Sequence, residues 1–596
     1  MFRKLLVLGT ILLLASCAAS HSDKPVAAPA PAPAPEAAPL RYPQRWVGLS
    51  GSCATTESTD ALIAKLKSAK DVGCTHIMLS ESGTGRMEMQ KPAYFLNAKR
   101  VQAFAKQNNL TLAMTMVSVG YSGTYFHYDT NFAAGHPVKN VPYIVKGQTA
   151  KPDPAAVLPV KNTSFNEVAD GKLVGWQDAP ASLLDSAVTR NGKPSLKGGP
   201  LLTQIVPCEP FKYYRATWYV KGPKPEDDEW YFLRLNSTDS DRRQSYTEAI
   251  AHPADKDGWS KYEVAFNTFE ATSLKVGFGG GKAGQNWFAD LKIEPAGMLL
   301  LVQAPRIPLV VTSQDGKTTY EQGKDFKFVE DPIMAVRPFP GEAPIDHEAP
   351  AIELTPQSRI HDGDRLGVSF YHHMRVYTDQ DAMTLSEPAI WPILERQIKL
   401  VTQAWPTGHY MLAYDEIRGG GWDPMPDPSI KTPGQLLAWH FRKSYDLVHK
   451  YAPGSTVYTW SDMFTPYHNA AEKPKYYYYV NGNWFGAGKD FPKDVVLMQW
   501  YAPTPQAMRY FADNGNKQII CGFYDDKTTA GMKKNIQQWV DVSKGVPGIQ
   551  GFMFTTFGNN YGSMPEYFQL LDTYSQWNKA TTAPADKMIM HGVDDR

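Results

Sequence analysis

Apolar and polar positions follow two different rhythms along this chain, and the change of rhythm divides it. Up to about residue 120, short apolar runs alternate with stretches whose apolar positions recur every three or four residues. The runs are Tyr42 to Ser50, His76 to Ser80 and Thr111 to Val117. One of the stretches between them is opened by Thr59 as N-cap and carries Leu62, Ile63, Leu66 and Ala69 on one face, and another runs from Asn97 to Asn108. Strand and helix alternating at this spacing predict a parallel sheet, most economically an α/β fold of the (β/α)8 TIM-barrel type.

From about Val157 to Ala296 the helical period is lost. Short aromatic and β-branched runs at 213–220, 229–235, 261–266, 274–279 and 286–294 are separated by Gly, Pro and Asp. They predict an inserted all-β sandwich. Its opening NTSFNE (162–167), the Gly175-Trp176 pair and its closing WFADLKIE resemble jelly-roll carbohydrate-binding modules. Residues 297–360 are Pro-rich and irregular, with a small strand pair expected near 309–311 and 326–328. Barrel grammar returns with Leu366 to Tyr371, a helix from Pro388 to Ala404, a strand at 410–415, a helix at 434–451, and strands at 456–460, 495–500, 519–524 and 549–554. These are nine candidate strands for eight places, and either 111–117 or 366–371 is the expected surplus. The predicted layout is therefore barrel (42–156), sandwich (157–296), connector (297–360), barrel (361–580) and tail (581–596).

The N-terminus predicts an address. Arg3-Lys4, the apolar run Leu5 to Leu14 and small residues after it read as an export signal over residues 1–16, too short to span a bilayer. Leu14-Ala15-Ser16-Cys17 resembles a bacterial lipobox, which implies acylation of Cys17 and anchoring to a membrane of the cell envelope. Residues 25–39, a Pro-Ala repeat, read as an extended tether rising about 3.1 Å per residue. Cys53, Cys74, Cys208 and Cys521 remain. Although exported proteins favour disulfides, the predicted strand positions put Cys53 and Cys74 at opposite ends of a sheet and Cys521 inside a strand, so free buried thiols are expected.

Composition adds two points. The formal net charge of +1 implies no bulk attraction to nucleic acid. The aromatic content of 12% is high, and aromatic faces exposed in a cleft are one way to hold sugar rings. No Cys/His ligand spacing points to a metal, and no cofactor is expected.

Candidate chemistry centres on HYMLAYDEIRGGGWDP (409–424). An apolar strand ends in Asp415-Glu416, a basic Arg418 and three glycines, which places two carboxylates on a loop at the carboxyl end of a strand. The following strand ends repeat the theme: Trp460-Ser461-Asp462, Gln499-Trp500-Tyr501, Tyr524-Asp525-Asp526, and Thr555 to Asn560 including Asn559. Of the adjacent His372 and His373 at most one, taken as His373, would reach such a cleft, because neighbours on a strand face opposite ways.

This order resembles the catalytic barrel of the family 20 glycoside hydrolases, the β-N-acetylhexosaminidases. The matching positions are Asp415-Glu416 after strand four, Trp460 and Trp500 after strands five and six, Tyr524 with Asp526 after strand seven, and the 549–560 segment. The layout is also similar to bacterial proteins that combine DEIR and WSDMF motifs with a sandwich inserted in a barrel. The resemblance implies a glycoside hydrolase with Glu416 as general acid/base, its acidity weakened by desolvation between Trp460 and Trp500. Asp415 would orient a 2-acetamido group and Tyr524 bond its carbonyl oxygen. For a substrate without that group, Asp462, Asp525 or Asp526 would supply the second carboxylate. Ser50-Gly51 stand where the family has an arginine, and the last strand lacks its Trp-x-Glu, so the sugar is left open. The alternative class is a tethered, non-catalytic glycan-binding protein.

Overall fold

The computed structural model describes residues 44–574, apart from 224–230, 241–242, 247–249, 283, 337–342, 375, 377–379, 474–478, 502–503, 524 and 527. The export signal, Cys17, the tether and Tyr524 lie outside the described residues.

Eight parallel strands close into a barrel: β1 (Gln44–Gly51), β2 (His76–Glu81), β3 (Thr111–Met116), β4 (His409–Leu412), β5 (Thr456–Trp460), β6 (Val496–Gln499), β7 (Gln518–Phe523) and β8 (Ile549–Thr555). The chain is thus a TIM barrel with an additional β-sandwich. Every strand sends at least one residue to a common apolar interior, which holds Trp46, Met78, Ala113, Met411, Tyr458, Met498, Cys521 and Met553. Trp460 and Trp500 lie partly buried against that filling. A filled barrel leaves its carboxyl-end rim as the place for a cleft.

The surplus strand is Arg365–His373. It belongs to an antiparallel sheet outside the barrel, paired with Gly135–Lys146 on one side and with Val310–Ser313 on the other. Thr149–Pro152, Leu301–Val302, Thr319–Tyr320 and Ile352–Glu353 complete the same sheet. Residues 135–152, expected in the barrel, and much of the segment expected to be irregular therefore form one structural layer. Its apolar residues, such as Val138, Tyr143, Val311, Val368 and Phe370, share the barrel's outer core. Of the strand pair expected at 309–311 and 326–328, only the first half forms a strand.

The sandwich is inserted after β3. Its sheets run Leu201–Pro207, Ser273–Gly280, Tyr231–Ser237, Arg243–Tyr246 and, facing them, Ile250–Ala251, Trp259–Asn267, Tyr213–Lys221, Trp287–Pro295, Lys193–Lys197, Leu184–Arg190. Alternate residues of Tyr213–Lys221 turn inward, so Tyr214, Ala216, Trp218 and Val220 meet Phe278 and Phe288 in a separate core.

Helix ends show where local chemistry was readable. The first helix, Thr56–Asp71, starts one turn before the expected Thr59. Thr55 caps it, because Thr55 and Ser58 exchange side-chain and backbone bonds, and Thr59 instead bonds back to the Thr55 carbonyl. Helix Pro433–Tyr451 carries the equivalent pair Thr432 and Gln435 with Pro at its first turn. Cys53, Cys74, Cys208 and Cys521 are free thiols, and burial pushes Cys53 and Cys74 up to about 12. No helix among the described residues is long and apolar enough to cross a membrane.

Candidate active site

A cavity of about 820 Å³ opens at the carboxyl ends of the barrel strands. Strands β1 to β3 and the loops after them supply hydroxyls to its wall, among them Ser50, Ser80, Thr115 and Ser118. Strand β5 and the loops after β6 and β8 supply Trp460, Trp500, Tyr501 and Phe557. Asp415 and Glu416 enter from the loop after β4. One side of the cavity is thus hydroxyl-bearing, another aromatic, with two adjacent carboxylates on the wall.

β4 ends at Leu412, short of the expected 410–415, and Glu416 then takes a left-handed backbone, φ 46°. A glutamate there is strained by roughly 1–3 kcal/mol, so neighbouring structure must impose it. Two neighbours do. Gly120, in the loop after β3, lies so close to the Asp415 carbonyl oxygen that a Cβ at position 120 would overlap it. From the other side the Glu416 N–H donates to Asp462 Oδ2 at 3.0 Å.

Three donors hold the Glu416 carboxylate. Arg418 Nη2 reaches Oε1 at 2.6 Å, Gln380 Nε2 reaches Oε2 at 2.7 Å, and the Tyr121 hydroxyl donates to the same Oε2. Gln380 also donates to the Tyr121 hydroxyl oxygen at 2.9 Å. The Glu416 side chain keeps 18% exposure and Arg418 8%. Burial, with the Asp415 and Glu416 charges behind it, holds the Tyr121 phenol far above its ordinary range, so it stays a donor. The sequence led us to expect Glu416 in a dry hollow with weakened acidity. In the structure a guanidinium, a phenol and an amide stand around it, and its side chain is mostly buried.

Gln380 does not come from the barrel. It sits on the loop leaving strand Arg365–His373 of the outer sheet, and that loop is clipped to the rim by Ser122 N–H to the Asp381 carbonyl (2.7 Å) and Met383 N–H to the Val119 carbonyl (3.1 Å). His373, expected in the cleft, is buried below this loop and bonds Asp381 Oδ1 through Nε2 at 2.7 Å. Its neighbour His372 turns to the sandwich, where it stacks on Tyr213 with ring centroids 3.8 Å apart and meets Asn267 at 3.0 Å. The two histidines face opposite ways, as adjacent strand residues must, and neither lines the cavity.

The other strand-end carboxylates are committed elsewhere. Asp462 is fully buried: it accepts from Glu416 N–H, from Asn469 Nδ2 at 2.7 Å and from Trp500 Nε1 at 3.1 Å. Burial raises its pKa and these N–H donors lower it, with burial the larger effect. It bonds the Glu416 backbone and the Trp500 ring and is not among the residues that line the cavity. Asp525 accepts from the backbone N–H groups of Phe557 (2.6 Å) and Gly558 (2.9 Å) and from the Thr556 hydroxyl, and so shapes the loop after β8. Asp526 lies beside Gly531 at the start of helix Thr529–Ser543, its pKa raised by burial, and Asn559 is exposed and accepts from the Tyr561 hydroxyl at 3.1 Å. Neither lines the cavity. Glu81, at the end of β2, does line it, but its oxygens accept from Cys53 N, Gly83 N and the Tyr94 hydroxyl.

Three participants escaped the sequence reading. Tyr121 and Gln380 lie in loops with no periodicity, and only the aromatic residue of the Gly120-Tyr121-Ser122-Gly123 turn hinted at the first. His468 stacks on Tyr501, with centroids 5.7 Å apart and 15° between planes. Burial pulls it down to about 4, against a smaller upward pull from Glu416, which makes it a neutral ring near neutral pH.

No protein-family profile and no curated protein matches the chain. Among solved structures it is similar to a rhamnosidase from Novosphingobium sp. PP1Y, at 10% identity and TM-score 0.33 over 90% of this chain. This chain spans 59% of the length of that rhamnosidase. It is similar to a family 20 β-N-acetylglucosaminidase at 9% identity and TM-score 0.34, over 91% of this chain and 70% of the other. The CBM22-1 xylan-binding domain from Paenibacillus barcinonensis matches 27% of this chain with 98% of its own length, at 16% identity and TM-score 0.18.

Proposed function

We propose that this chain is a glycoside hydrolase acting on an oligo- or polysaccharide, with Glu416 as its central catalytic carboxylate and Asp415 assisting. One observation carries the reading: an anchored carboxylate on the wall of a cavity that is aromatic on one side and hydroxyl-bearing on another. A pyranose has apolar C–H faces and a polar edge, so such walls complement it.

Elimination singles out the pair. Asp462, Asp525 and Asp526 do not line the cavity, and Glu81, which does, has its oxygens turned to two backbone N–H groups and the Tyr94 phenol. Carboxylate chemistry then falls to Asp415 and Glu416. The donors around Glu416 suit the half of an acid/base cycle in which it takes a proton from water or balances positive charge growing at the anomeric carbon. Its three donors take one lone-pair position on Oε1 and two on Oε2, so the proton it passes to a leaving oxygen can sit at the second position of Oε1. Tyr121, bonded to Glu416 and on the cavity wall, is the group placed to adjust with it. If the substrate bears a 2-acetamido group, Asp415 is the residue to orient it.

The Arg418 pair also suits a purely structural salt bridge, and on that observation the second reading is a non-catalytic glycan-binding protein. Reducing-end release from a broad glycan panel separates the two. Hydrolysis by the wild type that Glu416→Gln abolishes, with binding kept, supports the enzyme. Binding without hydrolysis of any member supports the module. We also place the protein at the cell envelope through acyl chains on Cys17, on the strength of residues 1–17 alone. Labelled palmitate incorporated by the wild type and not by Cys17→Ser tests that assignment.

A further inference from the structure

Two aromatic side chains at the cavity mouth stand further out than burial of apolar surface would put them. Phe557 is 63% exposed and Tyr501 52% exposed, yet both line the cavity. They flank Trp500, with ring centroids at 6.1 Å and 5.7 Å from it, and Trp500 lies 6.3 Å from Trp460. A row of aromatic faces therefore runs from the inner wall to the solvent.

Both outer residues are fixed by more than ring packing. The backbone of Phe557 is pinned through its own N–H and that of Gly558 to Asp525. Tyr501 sits in the left-handed region, φ 63°, with its ring against His468. A strained backbone and a mostly uncovered ring both cost free energy, and a ligand stacking on the ring recovers part of it. The cavity itself, about 820 Å³, falls high in the range of roughly 300–1,000 Å³ typical of pockets that enclose a whole small ligand, more room than a single hexose fills.

We propose that Phe557 and Tyr501 form a second sugar subsite, next to the one at Trp460 and Trp500, so that the substrate is a chain of at least two sugar units. This rests on the glycan reading of the cavity. An oligosaccharide fits better than a wholly apolar ligand because hydroxyls and carboxylates line the same cavity, facing the aromatic row.

The test is calorimetric binding to the Glu416→Gln protein of the mono-, di- and trisaccharides of N-acetylglucosamine, glucose and mannose, with hydrolysis by the wild type measured in parallel. In at least one series affinity rises about tenfold or more from mono- to trisaccharide, one strong contact's worth. Phe557→Ala and Tyr501→Ala each lower trisaccharide affinity roughly fivefold or more and leave the monosaccharide within about twofold. Equal losses for both lengths, an unaffected trisaccharide, or no binding by any member overturns the subsite. Chain-length-dependent binding without any hydrolysis upholds it and removes only the catalytic reading above. Circular dichroism of each variant separates lost contacts from lost folding.

Discussion

Asp462 offers the sharpest test of how the site is held, because its two oxygens have different tasks. Oδ2 accepts from Glu416 N–H and Asn469 Nδ2, and Oδ1 accepts from Trp500 Nε1. In Asp462→Asn the remaining oxygen can serve the first two, and the new amide then faces the Trp500 N–H. That opposes two donors at one contact and costs about 1–3 kcal/mol, the penalty of one unsatisfied buried donor. Since Trp500 is a wall of the cavity, the loss should fall on binding: KM rises about tenfold and kcat stays within about threefold. In Asp462→Ala all three donors lose their acceptor, about 3–5 kcal/mol of local stability if water relieves part of it. The left-handed turn at Glu416 also loses the bond that imposes it. A carboxylate misplaced by about 1 Å can cost on the order of 10²-fold, so kcat should fall by that much. Steady-state kinetics on any hydrolysed glycan, with thermal unfolding of each variant, reads both effects. Equal kinetics for the two variants, or wild-type kcat in Asp462→Ala, would refute the division of labour.

Other consequences follow from single contacts. Tyr121→Phe removes one donor to Glu416 and leaves Gln380 and Arg418; a bond to a charged group is worth about 1.5–3 kcal/mol, so kcat/KM should drop about 10- to 100-fold with folding intact, and unchanged kinetics would exclude Tyr121 from the machinery. Gly120→Ala forces the loop after β3 away from the Asp415 carbonyl and should lower kcat at least about 10²-fold while circular dichroism is preserved. Asp423, beside Thr384 and near Glu387, has its carboxyl pushed up to about 6 by burial. A raised carboxyl contributes fully below its unfolded value, near 3.8, and loses that contribution as pH rises to about 6. The loss is on the order of 3 kcal/mol at about 1.36 kcal/mol per unit. Asp423→Asn should therefore match the wild type at pH 3.5 and melt higher at pH 7.5; a constant difference between the two pH values would contradict the assignment.

The barrel was legible because its staves are local objects. An apolar run followed by an amphipathic helix needs no knowledge of the rest of the chain, and six of the eight staves, all but β3 and β5, lead on to such a helix. What periodicity does not encode is which sheet a run joins. Arg365–His373 reads like a stave, yet it pairs antiparallel with Gly135–Lys146, a partner more than two hundred residues away across the sandwich. The outer sheet was missed for that reason, since its strands come from both sides of the insertion.

The site was half legible on similar grounds. Asp415 and Glu416 were conspicuous because a strand, two acids and three glycines adjoin in sequence. Asp462 and Asp525 were equally conspicuous but lie outside the cavity lining, since a one-letter code for a carboxylate does not show whether it faces a cavity or a set of N–H donors. Gln380 was invisible: it reaches Glu416 only because the outer sheet's loop is clipped to the rim through Ser122 and Val119. Asp525, expected as a sugar contact, accepts from the backbone N–H of Phe557, and it is Phe557 that lines the cavity.

The most direct test of the central claim is a crystal of the Glu416→Gln protein soaked with an oligosaccharide that the wild type cleaves. The account predicts a glycosidic oxygen or its anomeric carbon within about 3–3.5 Å of the side chain at 416, with rings stacked on Trp460 or Trp500. A sugar bound well away from position 416, or a cleaved bond facing some other carboxylate, would contradict it.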